Sequence, residues 1–206
     1  MTKDSVIDNF LVWQFCKKKC IQSKIIDGSL GKKELRSIVA EVRKEYREKN
    51  YSYEEKIEKL KKLDNNPEYR LKVFEECSWR QERVNIRDLG TTLPRFGDIP
   101  PEVITKTLPE VVRFVENADP EKYKNVKYIK SLQKYPEILK KFQPWVITPA
   151  NRPSKKERMN RVHGEKDWNI EDTWGMINDG NHRAIAKILA NDSEELECFV
   201  GKRSGQ

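Results

Sequence analysis

The residues best suited to chemistry lie in one short run of this 206-residue chain, MINDGNHRAIA, which occupies positions 176–186. Asp179, His182 and Arg183 supply a carboxylate, an imidazole and a guanidinium close together in sequence. Gly180 lies among them and allows the backbone both an unusual conformation and a close approach to a ligand. The apolar residues before the run and the alanine-rich stretch after it predict a strand, a sharp turn and then a helix.

A helix that starts at this turn would offer a binding site for an anion. Its first backbone N–H groups have no intrahelical partners, and the helix dipole favours negative charge at that end. Asn181 is a candidate N-cap residue, while His182 adds a donor that can change charge and Arg183 adds a permanent one. The pattern predicts a phosphate site. The alternative is a generic Asp-Gly-Asn turn, in which Asp179 only stabilises the turn.

The run INDGNHRAIAKIL resembles the phosphate-binding loop of the ParB/sulfiredoxin superfamily, whose members carry a strand, an Asp-Gly-x-His-Arg or related turn, and a helix. The segment RVNIRDLGTTLPRFGDIPPEVI resembles the opening strand, Pro-Arg loop and first helix of that superfamily, and PWVITPANR resembles its central strand. The likeness covers about residues 83–206 and implies a ParB/sulfiredoxin-like domain.

Within the superfamily, the motif is most similar to the Asp-Gly-His-His-Arg loop of archaeal free serine kinases. That resemblance implies a phosphotransferase or ATPase that uses ATP or ADP with Mg²⁺. Asp179 would be the catalytic or metal-organising carboxylate, and Gly180, Asn181, His182 and Arg183 would hold the nucleotide phosphates. Arg95 would approach from the Pro-Arg loop. Because Asn181 stands where those kinases have their first His, the substrate stays open.

The same residues bear on the other activities found in this superfamily. Sulfiredoxin activity is not expected, because Asn181 occupies the position of that family's nucleophilic Cys. Partition-type clamping is not expected either, since the short stretch after Arg183 leaves no room for a DNA-reading module. A ParB-like DNA-binding protein or nuclease remains the alternative, and a non-catalytic interaction module remains the second.

The net charge of the chain is compatible with a nucleotide partner and with a nucleic-acid partner. Lys and Arg number 41 against 33 Asp and Glu, which gives a net charge of +8. Residues 151–166 (NRPSKKERMNRVHGEK) contain six basic and two acidic side chains, and we interpret them as a lid, a nucleic-acid contact or a solvated loop. A positive surface attracts nucleotides and nucleic acids alike, so charge does not separate the two.

The elements that must position this motif predict an α+β protein in two parts. Residues 1–82 form an all-helical N-terminal region that could support a homodimer, with its last helix at about 67–82. Residues 83–206 form a small mixed sheet with covering helices. The expected order is a strand at 84–86, a helix with its apolar face from Val103 to Val115, a lysine-rich helical stretch at 121–142, and strands at 144–149, 174–177 and 196–200. A helix at 183–190 precedes the last strand.

Composition excludes two classes of protein. Five Trp, seven Tyr and seven Phe need a core to pack in, so the chain is not disordered. No apolar run approaches the ~20 residues of a membrane span, and we expect no membrane partner and a cytoplasmic location. The four cysteines are expected to be thiols, since no secretion signal is present and the metal-site spacing fails. The lysines between Cys16 and Cys20 would favour a lowered thiol pKa.

Overall fold

The computed structural model describes most of the chain, and all structural statements concern this part: residues 2–19, 21–64, 67–91, 99–104, 106–147, 156, 160, 164–165 and 173–203. The chain divides into two compact units. One contains the residues up to Trp79 together with Arg203, and the other is Arg80–Lys202. In the described residues, no helix combines the length and the apolar character needed to cross a membrane.

The N-terminal unit is helical, as expected. Amphipathic spacing produces its helices because apolar residues recur every three or four positions and turn their side chains to one face. Ser52 and Glu55 form the capping box that the sequence predicts. The helices are α1 (Lys3–Lys18), α2 (Ile21–Ile26), α3 (Lys32–Lys49), α4 (Tyr53–Leu63) and α5 (Pro67–Glu76). The fully buried residues of these helices include Val6, Ile7, Leu11, Ile21, Leu35, Leu60 and Phe74.

The predicted helix over 67–82 is wrong in its second half. Helix α5 ends at Glu76, and strand β1 begins directly afterwards and continues to Asn85. Cys77, Trp79 and Val84 are buried, while Ser78 and Arg80 are exposed. Buried and exposed side chains alternate from Cys77 to Arg80, as in a strand, but the alternation does not continue through residues 81–83, so the charged run RQER gives no strand signal in the sequence. The strand expected at 84–86 ends at Asn85, and Ile86–Asp88 form a short 3₁₀ helix.

The second unit carries a five-stranded mixed sheet with the order β1-β5-β3-β4-β2, which confirms the α+β class. Strands β2 and β4 run parallel, β3 and β4 antiparallel, and β3 and β5 parallel. The strands are β1 (Cys77–Asn85), β2 (Leu89–Gly90), β3 (Trp145–Ile147), β4 (Gly175–Asp179) and β5 (Glu195–Arg203). The helices are α6 (Pro101–Ile104), α7 (Leu108–Asn117), α8 (Lys124–Leu132), α9 (Pro136–Lys141) and α10 (Asn181–Asn191).

Two stretches that the sequence presents as continuous helices are each divided. The helix expected from Val103 to Val115 is α6 followed by α7, because Thr107 and Glu110 form a capping box that starts a new helix. The lysine-rich stretch divides where Pro136 takes the first position of α9, a position where a missing N–H costs nothing. In α8, Tyr128 is buried, so that tyrosine belongs to the core.

The sheet and α10 together place the predicted motif. Helix α10 leads from β4 to β5 and packs on α7, α8 and α9, with Ala184, Ile185 and Ala186 fully buried. Between β3 and β4 the register shifts, so that Trp145 lies opposite Asp179 whereas Val146 lies opposite Ile177. Such a bulge bends a strand and redirects its side chains, and here it lies directly before the turn.

The described cysteines are thiols, as expected. The expectation of a lowered pKa at Cys16 is wrong. Burial raises the pKa of the Cys16 thiol to about 11, which outweighs the lowering by Arg43 and Lys19. An apolar environment here disfavours the thiolate more than the two nearby cations favour it. Cys20 lies outside the described residues.

Candidate functional site

The turn after β4 has a left-handed backbone at Gly180, with φ +80° and ψ 22°. A Cβ added there would lie 2.8 Å from Arg183 Nη2 and 3.0 Å from the Cα of Pro144. Both the conformation and the close approach therefore require glycine. Gly180 is the N-cap residue of α10, and its carbonyl accepts from the N–H of Ala184 at 2.8 Å. The prediction that Asn181 is the N-cap is wrong, because Asn181 is already the first helical residue.

Asp179 and Arg183 form an ion pair across this turn. Arg183 Nη2 donates to Asp179 Oδ2 at 2.9 Å, and Arg183 Nε donates to the carbonyl of Phe142 at 3.2 Å. The Arg183 side chain is 7% exposed and that of Asp179 19% exposed. Arg183 was expected to hold phosphate, but two of its donor nitrogens are directed to the protein itself. Its geometry is that of a residue that orients Asp179.

His182 is held by α8. Its Nε2 lies 2.6 Å from Oδ1 of Asn125, and its ring lies 5.2 Å from the ring of Tyr128 with an interplanar angle of 57°. Burial raises the pKa of Tyr128 to about 12; nearby Arg183 lowers it and Asp179 raises it. The phenol is therefore neutral at physiological pH and offers the imidazole an uncharged wall.

Asn181 is tied to the segment that follows β2. The hydroxyl of Thr91 donates to Asn181 Oδ1 at 2.6 Å, and Thr91 is 1% exposed. Thr91 is the last described residue before the segment 92–98 that contains Arg95. Arg95 itself, and most of the basic segment 151–166, lie outside the described residues. Their predicted roles stay predictions.

The structure thus brings four of the predicted site residues, Asp179, Asn181, His182 and Arg183, around Gly180 at the start of α10. The turn is accessible to solvent, because the positions from Asp179 to His182 are each only half-buried. Sequence reasoning missed the residues that hold them, which are Thr91, Asn125, Tyr128 and the carbonyl of Phe142. No local pattern in the sequence identifies Asn125, because its burial is visible only in the structure.

A metal held by protein side chains does not fit the described residues. In this part of the chain no three His, Cys, Asp or Glu side chains are grouped so that they could hold an ion. The carboxylate of Asp179 has a guanidinium at 2.9 Å, which competes with a cation for the same oxygen. The expectation that Asp179 organises Mg²⁺ gains no support from this geometry, and we assign no step to a metal on the protein.

Comparison with known proteins identifies no relative: no family model, no curated protein and no solved structure matches this chain.

Proposed function

We propose that this protein binds the phosphates of ATP or ADP at the turn from Gly180 to His182 and acts as a phosphotransferase or ATPase. The observation that carries the proposal is the placement of Asp179 beside the N-terminal end of an 11-residue helix whose N-cap residue is a glycine. A carboxylate fixed beside an anion-binding helix end is the pairing that phosphoryl transfer requires. The resemblance of the motif to the free serine kinase loop supports the same choice.

The binding role falls to the backbone and to His182. The N–H groups in the first turn of α10 point away from the helix body, and the helix dipole adds partial positive charge there. Gly180 has no side chain to occupy that end of the helix as a capping residue. An anionic ligand would therefore meet amide donors oriented by the helix, at an end where the N-cap residue itself has no side-chain oxygen.

The chemical role falls to Asp179. Its Oδ2 accepts from Arg183, and this contact orients the carboxylate at the turn. In the proposed step an attacking hydroxyl or water gives its proton to Asp179 while its oxygen bonds to the terminal phosphorus. The bond from that phosphorus to the bridging oxygen breaks, and ADP leaves. Arg183 acts through Asp179 and is a positioning residue.

The experiment compares two Asp→Asn substitutions at opposite ends of α10. Asp179→Asn retains an oxygen for Arg183 but cannot take up a proton. Asp192→Asn is the matched control, because Asp192 is exposed, has φ +46° and caps the other end of the helix, where asparagine is well tolerated. Melting temperature is measured with and without ATP, together with phosphate release.

We expect ATP to raise the melting temperature of all three proteins, since a ligand that binds only the folded state stabilises it. Phosphate release should fall by about 100-fold or more in Asp179→Asn, the usual range for loss of a general base, and stay unchanged in Asp192→Asn. Equal turnover in the two variants would contradict the catalytic role. If ATP leaves the melting temperature unchanged while duplex DNA raises it, the nuclease or DNA-binding alternative replaces the proposal.

A further inference from the structure

Tyr128 is a buried tyrosine of α8 whose ring lies against the candidate site. The residue is 6% exposed, and the centroid of its ring lies 5.2 Å from that of His182, in the first turn of α10. Helix α8 packs directly on α10. The core therefore holds this aromatic ring beside the start of α10.

The hydroxyl of Tyr128 forms no hydrogen bond to the residues that the structure describes. A buried phenol usually has a partner, because a polar group removed from water costs free energy unless it is hydrogen-bonded. In the described ranges, the Tyr128 oxygen is also not among the fully enclosed polar atoms that lack a partner, so it retains contact with solvent. A ring held by the core thus carries a hydroxyl that is open to a ligand.

The charged groups of the turn act on the same phenol. Burial, the largest effect, raises the pKa of Tyr128 to about 12, while Arg183 lowers it and Asp179 raises it. Charges influence a titratable group at short range, so the phenol lies near the turn that these two residues form. Tyr128 is protonated at physiological pH, and its neutral hydroxyl can donate one hydrogen bond.

We propose that Tyr128 is a further ligand-binding residue of this site and that its hydroxyl donates a hydrogen bond to an oxygen of the phosphate bound at the start of α10. The inference rests on the proposed function for the place of its ligand. Phosphate oxygens accept hydrogen bonds, and a hydrogen bond to a charged acceptor is stronger than one between neutral groups. A donor from α8 would add to the backbone donors of α10, and a side chain already held by the core loses little freedom on binding.

The experiment compares two Tyr→Phe substitutions in the same helix. Tyr128→Phe removes only the hydroxyl and retains the ring against His182. Tyr123→Phe is the matched control, because Tyr123 is the N-cap residue of α8 and its ring packs against Phe114 of α7 at 5.4 Å. The dissociation constants of ATP and of inorganic pyrophosphate are measured by calorimetry on the full chain, together with the melting temperature without ligand.

We expect the dissociation constants of ATP and pyrophosphate to rise about tenfold in Tyr128→Phe, the usual effect of losing a hydrogen bond to a charged group, and to stay unchanged in Tyr123→Phe. Without ligand, Tyr128→Phe should melt like the wild type, since its hydroxyl gives up no hydrogen bond within the described part of the chain. Unchanged affinity in Tyr128→Phe would overturn the inference. A lower melting temperature of this variant without ligand would also contradict it, because the hydroxyl would then serve the fold.

A spectroscopic measurement tests the contact directly. Protein labelled with ¹³C at Cζ of tyrosine gives signals for the seven tyrosines of the chain, and the signal that is missing in Tyr128→Phe belongs to Tyr128. We expect this signal to shift when ATP or pyrophosphate is added and to stay in place with adenosine. A Tyr128 signal that does not respond to bound ATP would overturn the inference.

Failure of the inference differs from failure of the proposed function. If the wild type binds ATP and Tyr128→Phe binds it equally well, the proposed function stands and the role of Tyr128 is wrong. If the wild type binds pyrophosphate but not ATP, and Tyr128→Phe binds pyrophosphate more weakly, the contact with the anion stands and the nucleotide-dependent function is wrong. If the wild type binds neither, both are wrong.

Discussion

Arg183 lies 2.9 Å from the carboxylate of Asp179 and donates at the same time to the carbonyl of Phe142. One buried side chain thereby joins the end of β4, the first turn of α10 and the segment that leads into β3. A guanidinium suits this position because its donors have a fixed, planar arrangement. The contact links these three segments and orients the carboxylate of Asp179.

Substitution of Arg183 by Ala should destabilise the fold. Removal of one partner of a buried ion pair leaves the other charge uncompensated, which costs about 3 kcal/mol at the lower end of the usual range. The lower end applies here because Asp179 retains some solvent contact. Urea denaturation measures the change. Arg183→Lys should recover only part of it, since an ammonium cannot reproduce both planar contacts.

The matched control is Arg87→Ala. Arg87 pairs with Glu194 at 3.2 Å, but both side chains are more than 70% exposed. Exposed pairs add little to stability, so this variant should unfold like the wild type. If Arg183→Ala also unfolds like the wild type, Arg183 has no structural role. The interpretation of Arg183 as a phosphate ligand, made from the sequence, would then be favoured.

Gly180→Ala should be more damaging than Gly28→Ala. Both glycines have positive φ, at +80° and +74°, but a Cβ at Gly28 would meet nothing within 4 Å. Gly28→Ala therefore costs only the strain of the left-handed backbone, about 1 kcal/mol. Gly180→Ala adds the clash with Pro144 and Arg183, which should raise the loss to about 2–4 kcal/mol. Equal losses in free energy of unfolding would show that the turn is not tightly packed.

The Cys16 thiol should be unreactive in the folded protein. Burial raises its pKa from the usual 9.0 to about 11, so the folded state retains a proton that the unfolded state has lost. The contribution of the protonated, buried thiol to the stability of the fold is complete below pH 9 and is lost as the pH rises towards 11. Wild-type protein should lose more stability than Cys16→Ala over this interval. Rapid alkylation of native Cys16 at about pH 8 would contradict the raised pKa, because the thiolate is the reactive form.

Much of the fold follows from local patterns in the sequence. The Ser52–Glu55 capping box, the turn at Gly180 and the mixed sheet all depend on residues that are close in sequence or on simple periodicity. The sequence did not predict the start of β1 at Cys77, because the charged run RQER that follows Trp79 gives no strand signal. It also did not predict the breaks before α7 and α9, where apolar spacing continues across a new helix start.

Only those residues of the site that are close together in the sequence could be predicted. Asp179, Gly180 and His182 lie in one short run of the chain, so their proximity is visible from spacing. Asn125 and Thr91 reach the turn through the packing of α8 and through β2, and nothing in local periodicity relates residues so far apart. The contact of Arg183 with the carbonyl of Phe142 could not be predicted for the same reason, since Phe142 lies in a distant segment.

The most direct test of the central claim is to follow the backbone amides of the turn by NMR during titration with ATP, with adenosine as the phosphate-free control. If phosphate docks at the start of α10, the amide signals of Asn181, His182 and Arg183 should show the largest shifts with ATP, and adenosine should leave them in place. If ATP binds but those amides do not respond, or if no amide responds to ATP at all, the account of this site is wrong.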